Sequence, residues 1–112
     1  MINLQHIQNL GEGDTAFVRD LIDVFLQETP GLLNHLEKAA QMQDWKQAGL
    51  MIHQLKSNFA LFGLEPLTQL SRQIEAGIKN QQSSQDLMTM VESLLQKTSA
   101  VYKPLETCRN DL

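Results

Sequence analysis

Residues 44–63 read DWKQAGLMIHQLKSNFALFG, and the spacing of their apolar side chains decides the fold. Wound as a helix at about 100° per residue, Ala48, Met51, Ile52, Leu55, Phe59 and Phe62 gather on one side, the pattern of an amphipathic helix laid on a core. Asp44 is suited to cap the helix that starts at Trp45, and Gly63 to stop it after about Phe62. His53 points almost directly away from the apolar stripe. Within about 60° of it on the same projection lie Lys46, Gly49, Leu50, Lys56, Ser57 and Ala60. The histidine therefore stands on the outer face, with small residues one turn before it and one and two turns after it.

The same periodicity runs outward on both sides. Phe17, Val18, Leu21, Ile22 and Phe25 follow Asp14, a second N-cap, at i, i+3, i+4 spacing. Pro30 is expected to end or kink that helix, with Thr29 capping a continuation through Leu32, Leu33, Leu36 and Ala40. Ahead of it, Ile2, Leu4, Ile7 and Leu10 predict a short helix stopped by Gly11 and Gly13. On the other side, Pro66 suits the first turn of a helix bearing Leu67, Leu70 and Ile74 and ending near Gly77. Lys79 to Ser84 reads as a polar loop. Ser83 and Asp86 resemble a capping box for a last helix with Leu87, Val91, Leu94, Leu95 and Val101. Nothing alternates like a strand. The expectation is an all-α fold, an antiparallel four-helix bundle with a short extra N-terminal helix, in one domain spanning residues 1–112.

Composition agrees. Of the 112 residues, 42% are hydrophobic and only 5% aromatic, so the core is built from unbranched and aliphatic side chains that suit helices. A net charge of −4 argues against nucleic-acid binding, which needs excess Lys and Arg to displace phosphate counterions. No apolar run approaches the roughly 20 residues of a membrane span, and no basic segment followed by an apolar stretch marks a secretory signal. The lone Cys108 cannot form an internal disulfide. A cytoplasmic monomer is expected, and Met1 with a complete bundle favours a free-standing protein over an excised piece.

The run His53-Gln54-Leu55-Lys56-Ser57-Asn58, followed by Gly63, resembles the motif of histidine-containing phosphotransfer (HPt) domains. Those domains carry a histidine, an apolar residue two positions on, a lysine three on, small residues at the next turn and a glycine ten on. His53, Leu55, Lys56 and Gly63 fill these places, and Leu67, Leu70, Ile74 and Glu75 continue the likeness into the next helix. The specific part spans about Asp44 to Gly77; beyond it only pattern and length agree.

The resemblance implies that His53 accepts a phosphoryl group on Nε2 from an aspartyl phosphate and passes it to a second receiver aspartate. The implied partners are receiver domains of hybrid sensor kinases and of response regulators. Neutral imidazole suits the task, since an unperturbed ring loses its second proton near a pH of about 6.5. Glu75 matches a position where some members place a group that hydrogen-bonds Nδ1–H and fixes the tautomer exposing Nε2; alternatively it is a rim acid. Lys56 would offset negative charge on the phosphoryl group, and Lys46, Gly49, Ser57, Ala60 and Arg72 would form the docking face. Ser57 departs from the family, which commonly has glycine there; its hydroxyl either bonds the phosphate or is tolerated because it is small. Asn58, nearer the core edge, is expected to bond between helices.

His6 and His35 lie on other helices with no ligand-like spacing and read as surface residues. No Gly-rich phosphate loop or kinase motif is present, so no ATP-dependent kinase activity and no cofactor is expected. The resemblance implies that Mg²⁺ comes with the receiver. Two other readings stand beside the phosphocarrier: a helical adaptor that docks a partner without being phosphorylated and, more remotely, a metal-binding bundle.

Overall fold

Among the described residues, four of the five helices in the computed structural model open on a side chain that accepts a backbone N–H three residues on. They are α1 (Leu4–Leu10), α2 (Thr15–Gln41), α3 (Trp45–Leu61) and α5 (Ser84–Asn110), capped by Asn3, Asp14, Asp44 and Ser83. α4 (Glu65–Lys79) has no such cap and starts instead with Pro66, whose missing N–H costs nothing in a first turn. The structure describes residues 2–112, the side chain of Leu4 excepted, so what the sequence implies for Met1 and for the packing of Leu4 lies outside the described residues. No strand occurs among them.

Three helices close in one way. After α2, α3 and α4 a residue with positive φ, Gln43 (56°), Gly63 (66°) or Gln81 (57°), turns the chain. The next amide then reaches back five residues: Asp44 N to Ala39 O, Leu64 N to Phe59 O, Gln82 N to Gly77 O, at 2.8–2.9 Å. This satisfies carbonyls the helix leaves open and keeps each connection short, so neighbouring helices run antiparallel. α2, α3, α4 and α5 form a ring in which each packs on the next and α5 returns to α2, while α1 lies on α2.

The apolar stripes meet in one core containing Ile22, Phe25, Leu36, Ile52, Leu55, Phe59, Leu67, Ile74, Leu94 and Val101, all buried. Phe25 meets Phe62 edge-on, with ring centroids 5.0 Å apart. At 27 residues each, α2 and α5 outreach α3 (17) and α4 (15), which makes the molecule a rod of 45 × 20 × 19 Å. Near one end Arg109 of α5 pairs with Asp23 of α2, and Arg19 donates to the Leu112 carbonyl at 2.8 Å. No helix among the described residues is long and apolar enough to cross a membrane.

The structure corrects several expectations. α2 runs through Pro30 without a break, and Thr29 is a buried interior residue, not a cap. Pro30 is exposed, and Phe25, Thr29, Leu33, Leu36 and Ala40 stay in phase across it, so core packing outweighs the roughly 3 kcal/mol a mid-helix proline costs. Phe17, expected in the stripe, is 48% exposed. α4 continues two residues beyond Gly77, which is buried at the approach of Leu87 and Met90. Lys79 and Ser84 accordingly belong to helices, not to the loop between them. Ser83 caps α5 through the Asp86 amide; no return bond from the Asp86 side chain is formed among the described residues, so the box is half made.

Candidate functional site

His53 lies on the face of α3 opposite Ile52, Leu55 and Phe59, and 70% of its side chain is exposed. α4 runs alongside with Leu67, Ser71 and Ile74 turned inward, which leaves Glu75 at the seam between the two helices. Its carboxylate serves two donors of α3. Oε2 lies 3.2 Å from His53 Nδ1, and Oε1 accepts a 2.6 Å bond from Lys56 Nζ. Lys56 and Glu75 are each about a quarter exposed, so the pair is more sheltered than the imidazole it adjoins.

This arrangement fixes the chemistry of the ring. Burial pushes the Glu75 carboxyl up, but the bonds from Lys56 and His53, with their charges, outweigh it and hold the group below the ordinary value of 4.5. Near neutral pH Glu75 is therefore an anion that can only accept. A neutral imidazole facing it must carry its hydrogen on Nδ1, which leaves the lone pair on Nε2.

The other residues singled out from the sequence divide. Lys46 and Ala60 are exposed on the same helix, and Gly49 is half-buried, with Ile78 Cδ1 3.9 Å from where a Cβ would stand. Ser57 is exposed, and its hydroxyl donates to the His53 carbonyl at 3.3 Å, a bond within its own helix. Arg72 turns toward Glu65, 3.8 Å away, and is not joined to His53. Asn58 makes no side-chain hydrogen bond among the described residues; it borders a shallow groove between α2 and α3, so the helix–helix bond expected of it is absent.

Two features escaped the sequence reading. His6 is not a free surface residue: it is half-buried, and its Nε2 lies 2.9 Å from the Leu61 carbonyl at the end of α3. A Cβ at Gly63 would stand 2.9 Å from its ring. His35 is exposed, as expected. The second feature is a group of exposed apolar side chains outside the core: Leu50 and Leu61 of α3, and Val24 and Phe17 of α2. Val24 and Leu61 line the groove that Asn58 borders. The signal was present in Leu50 and Leu61, apolar residues off the core stripe.

Elsewhere, a cavity of about 360 Å³ lies far from His53, lined by Gln8, Thr107, Cys108 and Asp111. Burial, and then the Asp111 charge, push the Cys108 thiol up, away from the reactive thiolate. No cluster of three or more His, Cys, Asp or Glu able to hold a metal ion occurs among the described residues.

The family model of the Hpt domain matches residues 20–101, and the chain belongs to that family, the phosphotransfer domains of phosphorelays. Among solved structures, the HPT domain of an Hpt sensor hybrid histidine kinase from Shewanella superposes with a TM-score of 0.86 at 18% identity. The match covers 99% of this chain and 95% of that one, and it shows a shared fold. No curated protein matches the sequence.

Proposed function

We propose that His53 accepts a phosphoryl group from the phospho-aspartate of a receiver domain in a hybrid sensor kinase and passes it to the receiver of a response regulator. The observation that carries this reading is the Nδ1 contact with Glu75, which leaves the outward nitrogen as the nucleophile. In the first step the Nε2 lone pair forms a bond to phosphorus while the bond from phosphorus to the aspartyl oxygen breaks, its electron pair remaining on the receiver's carboxylate. No proton need move. The ring becomes a phosphorylated imidazolium whose Nδ1–H faces the Glu75 anion. In the second step the next carboxylate attacks phosphorus, the N–P bond breaks, and neutral imidazole leaves with Nδ1–H in place. Glu75 thus favours attack and departure alike, because imidazole is a far better leaving group than its anion.

Mg²⁺ is assigned to the receiver in this scheme, and the chain contributes neither metal nor nucleotide. The docking face is the exposed side of α3 around His53, from Lys46 past Ser57 to Ala60, with the exposed Leu50 and Leu61 of the same helix and Arg72 on the α4 side. The molecule acts in this scheme as a cytoplasmic monomer.

Incubation with a phosphorylated receiver tests the proposal. Wild type is expected to take up an acid-labile, base-stable label and His53→Gln none. Equal labelling of both defeats it. Undiminished receiver binding by both proteins, with no transfer to either, would establish the adaptor reading instead.

A further inference from the structure

Building on that role for His53, we infer that Lys56 is a positioning residue that acts through Glu75, anchoring the carboxylate so that the imidazole proton stays on Nδ1. The family likeness points Lys56 at the phosphoryl group. The structure gives its ammonium another partner: the 2.6 Å bond to Glu75 Oε1 is shorter than the 3.2 Å contact between Glu75 Oε2 and His53. The two oxygens are divided between the two donors. The rotamer that aims Oε2 at the ring is the one in which Oε1 is held.

Glu75 needs such an anchor. It belongs to α4 while the ring belongs to α3, and a glutamate has three rotatable bonds to disperse over. Lys56 comes from α3, three residues past His53, so its side chain leans back over the turn that bears the imidazole. It thereby ties the α4 carboxylate to the frame of the histidine. The sheltered seam favours the pair, since an ion pair shielded from water attracts more strongly than a fully solvated one. His53, largely in solvent, has no other fixed partner for Nδ1 among the described residues. A solvated neutral imidazole samples both tautomers, and only one presents a lone pair at Nε2.

The test reads the tautomer directly, in the full chain, unphosphorylated and without a receiver. Long-range ¹H–¹⁵N spectra of ¹⁵N-histidine-labelled protein are recorded at a pH where the ring is neutral, for wild type, Lys56→Met, Lys56→Gln and Lys56→Arg. Wild type and Lys56→Arg are expected to show His53 as Nδ1–H. In Lys56→Met and Lys56→Gln the ratio of Nε2–H to Nδ1–H is expected to rise roughly three- to tenfold, the worth of part of one charge-assisted hydrogen bond. Phosphoryl uptake should fall in the same order and recover in Lys56→Arg. A wild-type tautomer signature in both neutral variants overturns the inference, and a fall in uptake alongside it would assign Lys56 to the phosphoryl group directly. Because the spectra need no receiver, they decide the role of Lys56 even if no receiver labels His53.

Discussion

His53 and His6 both engage an oxygen through one ring nitrogen, His53 from α3 and His6 onto the end of α3, yet they sit at opposite extremes. His53 spends Nδ1 on a carboxylate of α4 and turns Nε2 to solvent. His6 spends Nε2 on the carbonyl of Leu61 and lays its ring over Gly63, which pins α1 to the end of α3. A carbonyl accepts from Nε2–H and so removes the nucleophilic lone pair; a carboxylate at Nδ1 exposes it. The side chain is the same. Under the proposed function, the engaged nitrogen decides whether the ring is a reagent or a fastener.

Exchanging the two phenotypes is the sharpest way to break this comparison. His53→Gln should abolish phosphoryl labelling while leaving the thermal midpoint nearly unchanged, because the ring is exposed. Gly63→Ala should be the most destabilising of the end-of-α3 changes, by about 1–2 kcal/mol in denaturant titration, since φ is +66° and the new Cβ meets the His6 ring. His6→Ala should cost about 1 kcal/mol and leave labelling intact; a loss of labelling instead would place His6 in the chemistry. Combining the two should cost less than their sum, because removing the ring removes the clash.

Smaller effects sharpen the same contrast. Gln43→Gly and Gln81→Gly place glycine where α3 already has Gly63, and each should raise stability by about 0.5–1 kcal/mol by relieving a positive φ. The pH dependence of Glu75 should be slighter still, since the group is partly solvated. Folding lowers its pKa, so the stabilisation is complete above the ordinary value of 4.5 and is lost as pH falls through the lower folded value. The stability difference between wild type and Glu75→Gln should therefore narrow as pH falls below 4.5, read by melts across that range.

What the sequence could show followed from local physics. The caps at Asp14, Asp44 and Ser83 and the turn at Gly63 are decided within a few residues, and each appears where its chemistry called for it. Pro30 misled because its penalty is local while the packing of Phe25, Leu33 and Leu36 that overrides it comes from other helices. Phe17 misled for a different reason: at about 100° per residue it lies more than a quarter turn from the centre of the stripe formed by the buried Val18, Ile22, Phe25 and Thr29, so it falls outside and stays exposed. Periodicity alone put His53 on the outer face. The Glu75 contact spans 22 residues and the His6 contact 55, and helix phase within one segment carries no information about either. Family likeness pointed to the first of them; nothing local distinguished His6 from His35.

The outward nitrogen of His53 has a kinetic consequence under the proposed function. It lies on the flank of a rod only about 20 Å across, beside a seam whose carboxylate oxygens are both engaged. A donor and an acceptor that each cover this flank cannot be seated together, so the molecule is a station with a single berth. Throughput is then governed by how quickly the first visitor leaves, and tighter docking to either partner would slow the relay.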